Sequence, residues 1–259
     1  GVQTCALPIL LKSIRSRIKS LIYPFYEWRI VKDLDFTRTP RHIGVTLDGN
    51  RRWAKQNPDA ADPFGHKRGA EKIADLLGWC EETQVEVVTL WMLSTDNFKR
   101  TPEEVKTLID VISEIVDDLS ARNRWSIKAV GALDVLPEEL ATKLANLPGC
   151  PNSKLQVNVA IGYGGRREIV DAVKGFLGEE AEAGRTLKEA MADLDADAIA
   201  RHLYTAGQPD PDLLIRTSGE QRLGGFLLWQ SALSEFYFCE AYWPDFRRVD
   251  FLRALRDYS

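Results

Sequence analysis

The sequence predicts an α/β fold: a single domain with a mainly parallel central sheet of about six strands flanked by helices. Three observations predict it. Short, β-branched apolar runs such as "HIGVTL" and "VEVVTLWML" recur along the chain, as expected of buried strands. Stretches with apolar residues at helical spacing lie between them. The unusual polar clusters fall at the carboxyl ends of the expected strands, where ligands bind in sheets of this kind.

The elements follow in order. Residues 1–9, "GVQTCALPI", back-translate into a common sequencing-adapter oligonucleotide and are read as a non-native artefact rather than a signal peptide. Residues 10–39 are read as an amphipathic helical segment, with Leu10, Leu11, Ile14, Ile18, Leu21 and Ile22 on one face and Lys12, Arg15, Arg17 and Lys19 between them. Two readings of this segment stand: peripheral contact with an anionic membrane surface, or packing on its own domain or a partner subunit. From residue 40 onward, "HIGVTL" (42–47) is the first strand and ends at an Asp-Gly turn. A helix over 66–83 carries Ala70, Ile73, Ala74, Leu77 and Cys80 in one stripe. "VEVVTLWML" (85–93) is the second strand. Thr101-Pro102 opens a helix that runs to about Leu119, with Thr as N-cap and Pro at the first position. "SIKAVG" (126–131) is the third strand and "PEELATKLAN" a helix. "LQVNVAIGY" (155–163) is the fourth strand, leading through a Gly-rich turn to a helix from about Arg166. "DLLIRT" (212–217) is the fifth strand, "GFLLW" (225–229) a candidate sixth, and "VDFLRALRDY" a closing helix.

Composition excludes several functions. The chain has 259 residues, 44% of them hydrophobic, and a net charge of -4, so it lacks the basic footprint of a nucleic-acid-binding protein. Its 4 cysteines and 3 histidines are scattered, with no Cys-x-x-Cys pair, which argues against structural zinc and for reduced thiols in a cytoplasmic protein. No apolar run is long enough to span a bilayer.

The turn after the first strand, "TLDGNRRWAK", concentrates chemistry. Asp48 at a strand end is a carboxylate suited to a hard cation such as Mg2+. Gly49 lets backbone approach a ligand. Asn50, Arg51 and Arg52 open a helix, and the two arginines offer charge-assisted bonds to phosphate. An Asp-Gly turn with surface arginines is the plainer alternative. In "RTSGEQR", Arg216 closes a buried strand, which is costly unless it meets an anion, either a ligand or a structural partner. Arg222 follows. "STDNFKR" places Ser94, Thr95, Asp96, Asn97 and Arg100 at another strand end. His66 stands at a helix start, suited to phosphate or to capping. "GYGGRRE" has neither dinucleotide-fingerprint nor Walker spacing.

Together and in this order these clusters resemble the cis-prenyltransferase family (undecaprenyl diphosphate synthase-like). The match runs from about Pro40 to Tyr258 and rests on "HIGVTLDGNRRWA", "FGHKRGA", "LSTDNFKR", "NVAIGYGGRREIVDA", "DLLIRTSGEQRLGGFLLWQSALSEFYF" and "WPDF". "DGNRRWA" with "GQPDPDLLIRTSGEQRL" is similar to the actinobacterial short-chain branch, the Z-farnesyl diphosphate synthases, whereas the long-chain branch usually has Gly at Arg51.

The resemblance implies one catalytic domain over 40–259, a homodimer, and Mg2+ as cofactor. It implies condensation of isopentenyl diphosphate with an allylic diphosphate, geranyl or farnesyl, to form a cis double bond. It carries Asp48 over as the metal-handling carboxylate and Asn97 as the residue near proton removal. Gly49, Asn50, Arg51, Arg52, Trp53, His66, Ser94, Thr95, Asp96, Phe98 and Arg100 would border the allylic substrate. Arg216, Arg222, Leu223 and Gly224 would border isopentenyl diphosphate. Glu235 would be a second metal ligand given across the dimer interface, and Met92 the residue that limits chain length. Alternation along the strand is expected to turn Leu93 the other way. Departures are Asp62 where an arginine is frequent, Asp96 for Glu, Phe98 for Trp, and an end at "RDYS" before the family's Arg-x-Gly tail. A long-chain synthase for the cell-wall lipid carrier and a non-catalytic subunit of a heteromeric enzyme are the alternatives.

Overall fold

The computed structural model describes residues 27–58 and 65–259, so the start of the N-terminal segment, Cys5 and Asp62 lie outside the described residues. Six strands form one sheet: β1 (His42–Thr46), β2 (Val87–Ser94), β3 (Ser126–Val130), β4 (Gln156–Tyr163), β5 (Leu213–Arg216) and β6 (Glu235–Phe238), in the order β3-β4-β2-β1-β5-β6. Every pairing is parallel, so the sheet expected to be mainly parallel is wholly so. The chain leaves β1 toward β2 on one side and returns on the other side at β5. That reversal opens a crevice at the carboxyl end of β1.

The helices are α1 (Asn50–Gln56), α2 (His66–Glu82), α3 (Pro102–Ala121), α4 (Glu138–Ala145), α5 (Gly165–Glu182), α6 (Leu187–Asp193), α7 (Ala196–Ala200) and α8 (Arg248–Tyr258). Helices α2, α3, α4 and α8 bury their apolar stripes on one face of the sheet. There Leu76, Leu77, Val116, Phe251 and Leu252 pack on Ile43, Val45, Leu90 and Val159. Residues 27–33 are helical, and Ile30 and Leu34 join this same cluster, so the described end of the N-terminal segment packs on its own domain. The other face carries Leu214, Ala160, Tyr163, Phe226 and Leu227.

The sixth strand differs from expectation. Residues 225–229 form turns, because Gly224, Gly225 and Leu227 have φ of 69°, 87° and 46°, which no strand accommodates. Phe226 and Leu227 instead fold over Gly44, where an added Cβ would lie 2.2 Å from Leu214 Cδ2 and 3.0 Å from Phe226 Cε1. The strand begins ten residues after Gly225, where the Glu235 N–H donates to the Asp212 carbonyl at 2.9 Å.

A chain of buried polar groups crosses the sheet on this second face. His42 Nδ1 donates to the Pro209 carbonyl (2.7 Å), and the Thr89 hydroxyl donates to His42 Nε2 (2.8 Å). The Asn158 amide donates to Thr89 Oγ1 (2.9 Å), and Gln208 donates to Asn158 Oδ1 (3.0 Å). Burial pushes the His42 imidazole below its ordinary 6.5, against the opposing pull of the Pro209 carbonyl and Asp212. The folded state therefore favours the neutral ring. Its contribution to stability is complete above 6.5 and is lost as pH falls below that value, where the unfolded chain takes up the proton first. Thr89→Val should strand two buried groups and cost about 1–3 kcal/mol, read as a lower urea midpoint at pH 7.5. An unchanged midpoint would show that the chain contributes nothing.

Candidate active site

The parallel register of β1 and β5 pairs Thr46 with Arg216, which sets an arginine beside the end of β1. Two residues on, the turn delivers Asp48. The Thr217 hydroxyl fixes that turn, accepting from the Asp48 N–H (2.9 Å) and sitting 2.7 Å from the Asp48 carbonyl. Arg216 Nη2 donates to Asp48 Oδ2 at 2.9 Å, and its Nη1 donates to the Arg222 carbonyl. Arg52 Nη2 reaches Asp48 Oδ1 at 3.4 Å and Ser218 Oγ at 2.6 Å. Burial pushes the Asp48 carboxyl upward, but the Arg216 bond and charge, the Arg52 charge and the Ser218 hydroxyl outweigh it and hold it below the ordinary carboxylate value.

Gly49 is required at this turn. Its φ is 106°, and an added Cβ would stand 2.7 Å from Tyr242 Cδ1 and 3.0 Å from the Tyr242 Cα, so both the ring and the backbone of Tyr242 block it. Helix α1 has 7 residues, so the arginines it carries, more than the helix itself, supply positive charge. Arg51 Nε lies 3.6 Å from Glu104 Oε1, and Arg100 Nη1 donates to that same oxygen at 2.7 Å. Glu220 bridges Arg52 (3.0 Å) and Arg222 (3.1 Å). Each of these arginines thus meets a carboxylate. Asn50 Nδ2 donates to the Leu47 carbonyl (3.1 Å), while Asn50 Oδ1 and Arg216 Nε are buried without hydrogen-bond partners.

These groups surround a cavity of about 550 Å³. Its mouth holds Asp48, Gly49, Asn50, Arg51, Arg52, His66, Ser94, Asp96, Asn97, Arg100, Arg216, Arg222 and Gly224, and its walls Ala70, Ile73, Met92, Leu108, Val111, Ile112 and Ile115. Charge at one end and hydrocarbon at the other suit an amphiphile with an anionic head. Gly224 stands over the site with φ 69°, and an added Cβ would lie 3.1 Å from Arg216 Nη1.

The loop after β2 is a one-turn helix over Thr95–Lys99, closed by a capping box in which the Ser94 N–H donates to Asn97 Oδ1 at 2.8 Å. That commits the Asn97 oxygen and leaves its NH2 as the available group. Asn97 can orient a substrate oxygen but cannot accept a proton there. Asp96 is exposed and paired with Lys99 at 2.7 Å.

The structure places the other expected residues elsewhere. Trp53 is buried, Phe98 packs against the main core and Leu223 against the second cluster. Thr95 backs onto Gly164, where an added Cβ would lie 2.8 Å from its hydroxyl. Glu235 is exposed at the start of β6, level with Leu213, at the opposite end of the sheet from Asp48 in the same chain. Met92 lines the cavity, but the expected alternation with Leu93 fails. β2 bulges there: Trp91 pairs with Ala160 and Leu93 with Ile161, leaving Met92 without a cross-strand partner. Leu93 consequently joins the same cluster that Met92 packs against, fully buried behind the cavity wall.

Sequence reasoning missed Glu104 and Glu220. The Arg100–Glu104 spacing of four was the available signal for the first; "GEQR" offered only a turn acid for the second. Among the described residues no cluster of three or more His, Cys, Asp or Glu side chains can hold a metal. Of the two carboxylates that line the mouth, Asp96 is paired with Lys99, which leaves Asp48, beside the arginines, as the one suited to a metal. That fits Mg2+, which keeps waters and takes one or two carboxylates plus substrate phosphates.

Fold and site together define an α/β protein whose strand-end cavity is basic at its mouth and apolar along its walls, and the comparisons give its class. The sequence pattern of the family described as "Putative undecaprenyl diphosphate synthase" matches residues 46–259, and the chain belongs to that family. It is 58% identical over 240 residues, 92% of this chain and 94% of the relative, to the (2Z,6E)-farnesyl diphosphate synthase of Thermobifida fusca. It is 51% identical to the short-chain Z-isoprenyl diphosphate synthase of Mycobacterium leprae, over 96% of this chain and 97% of the relative. The crystal structure of lavandulyl diphosphate synthase from Lavandula x intermedia with dimethylallyl diphosphate superposes with TM-score 0.77 at 32% identity, covering 86% of this chain and 96% of that one. The chain is a cis-prenyltransferase.

Asp48→Ala should leave the Arg216 guanidinium without its carboxylate and cost about 1–2 kcal/mol in urea unfolding, discounted for partial exposure. Asp48→Asn keeps an acceptor and should cost less. Both should lose turnover with Mg2+ while remaining folded. Full activity in either would remove Asp48 from the metal role.

Proposed function

We propose that this chain condenses isopentenyl diphosphate with an allylic diphosphate, geranyl or farnesyl, and stops at a short cis product such as (2Z,6E)-farnesyl diphosphate. The observation that carries this reading is the cavity itself: five arginines, Arg51, Arg52, Arg100, Arg216 and Arg222, at the mouth and apolar walls that run back to Met92. The names of the similar proteins from Thermobifida fusca and Mycobacterium leprae support the short product.

In the proposed reaction the allylic C1–O bond breaks and pyrophosphate leaves with the bonding pair. C4 of isopentenyl diphosphate bonds to C1, and a C2 proton departs to give the new double bond. Arg51, Arg52 and Arg100 hold the allylic head, where charge builds on the leaving group; Arg216 and Arg222 hold the isopentenyl head. Asn97 donates its amide N–H to position a diphosphate oxygen, and the departing pyrophosphate is the base for the C2 proton. Asp48 would hold Mg2+, which when bound neutralises diphosphate charge. The allylic chain enters the tunnel between the sheet and helices α2 and α3.

Glu235 reaches the site only from a second copy of the chain, so the homodimer belongs to the same proposal. Phe236 on the edge strand and Leu233 in the turn just before it, both exposed near Glu235, give that contact an apolar surface. Among the described residues no helix is long and apolar enough to cross a membrane. Peripheral contact through the segment that begins at residue 10 remains part of the proposal.

The test is turnover of labelled isopentenyl diphosphate by the purified chain alone, with products sized by mass spectrometry. No product would favour a non-catalytic subunit, and a long product the lipid-carrier synthase. Arg222→Ala should raise KM for isopentenyl diphosphate about tenfold and leave that of the allylic substrate nearly unchanged, since one charge-assisted bond is lost. Equal KM values for mutant and wild type would make this arginine structural. Met92→Ala should lengthen the product by opening the wall at the bulge. Retained activity with unchanged product length would remove Met92 as the limiting residue.

A further inference from the structure

Glu104 is a buried acid beside two of the arginines at the cavity mouth, where the proposed reaction gives it no direct role. It is 6% exposed, in the first turn of α3, behind Arg51 and Arg100, which line the mouth of the cavity whose walls the same helix supplies through Leu108, Val111 and Ile112. Its sequence setting, Thr-Pro-Glu-Glu, is that of a capping box, in which the fourth residue's carboxylate turns back to the N-cap backbone. Thr101 does its half, accepting from the Glu104 N–H at 3.3 Å. The Glu104 carboxylate, however, points to two arginines from different elements. Arg100 precedes α3 and donates to Oε1 at 2.7 Å; Arg51 comes from α1 and places Nε 3.6 Å from the same oxygen.

From this geometry we infer that Glu104 is a positioning residue for the allylic-diphosphate site, holding the Arg51 and Arg100 guanidinium groups together at the mouth. The inference rests on the prenyl-transfer reading of the cavity. Two guanidinium groups within reach of one oxygen repel each other, and without an anion between them they would move apart into solvent. Arg51, whose side chain is 52% exposed, has the most room to do so. The carboxylate removes that repulsion before substrate arrives, so the arginines stand ready and little ordering remains for the ligand to impose. Glu104 itself touches no substrate atom in this arrangement and acts only through the arginines.

The experiment compares Glu104→Ala, Glu104→Gln and Arg100→Ala with wild type, measuring kcat and both KM values, with circular dichroism melting as a fold check. Glu104→Ala should raise the allylic KM about tenfold while the isopentenyl KM shifts less than about twofold. Glu104→Gln, which keeps an oxygen for Arg100 but loses the charge, should fall between and carries the test if the alanine variant does not fold. A structural role alone would lower the melting temperature without separating the two KM values. An allylic KM that is unchanged or lower in the folded variants overturns the inference. If Arg100→Ala still raises that KM, only the role of Glu104 falls. If Arg100→Ala leaves it unchanged too, the reading of the cavity falls with it.

Discussion

The pairing of Asp48 with Arg216 is the constraint on which the site is built. It follows from topology. β1 and β5 run parallel and adjacent, so their carboxyl ends finish level, with Thr46 beside Arg216. A strand that ends in arginine inside a sheet needs an anion, and the loop after the neighbouring strand β1 supplies one at 2.9 Å. The side chains are 11% and 30% exposed, so arginine is the more deeply set partner and Asp48 the one that opens to the cavity. That asymmetry serves a ligand site. The buried cation is fixed by the fold, and the carboxylate keeps a face open to the cavity, as the proposed metal role requires.

The sheet separates the two kinds of matter the cavity must hold. Polar chemistry gathers at the strand ends, while the face under α2 and α3 is hydrocarbon. The two meet at the end of β2, where the bulge at Met92 and the shift opposite Gly162 interrupt the alternation. Gly162 has φ 60°, and an added Cβ would lie 2.8 Å from the Ala132 carbonyl, so the partner strand can bend only because that residue is glycine. The bend turns Tyr163 to the second face, where its hydroxyl donates to buried Glu168, and lets the polar turn over 95–99 follow directly.

The parallel sheet and the strand-end clusters were legible because they depend on local pattern: β-branched runs, caps and Asp-Gly or Gly-Gly turns. Asp48, Arg216 and the Ser94–Arg100 loop fell where that pattern put them. The sixth strand was misplaced because "GFLLW" has strand composition, yet Gly225, the preceding Gly224 and Leu227 take positive φ to fold over Gly44. That outcome is decided by what Gly44 lacks, 180 residues earlier in the chain, which no local window contains. The orientation of Leu93 was misjudged for a related reason, since a bulge is a property of two strands. Glu104 and Glu220 were passed over because acids near a helix start or a turn are common, and only the fold reveals which arginines they meet.

Those two acids, with Asp48, change how the cluster of arginines is understood. Left alone, Arg51, Arg52, Arg100, Arg216 and Arg222 would repel one another, and folding would have to overcome that repulsion. Three carboxylates distributed among them make the empty site tolerable and fix the directions in which the guanidinium groups point. In the proposed reaction the cost appears on binding, because an incoming diphosphate must compete with acids already in place. Its affinity is therefore a difference between two sets of ion pairs rather than a sum of new contacts. If the proposed reaction holds, the benefit of pre-organisation is greatest in the transition state, when charge on the leaving pyrophosphate exceeds that of the ground state and meets guanidinium groups already held in place.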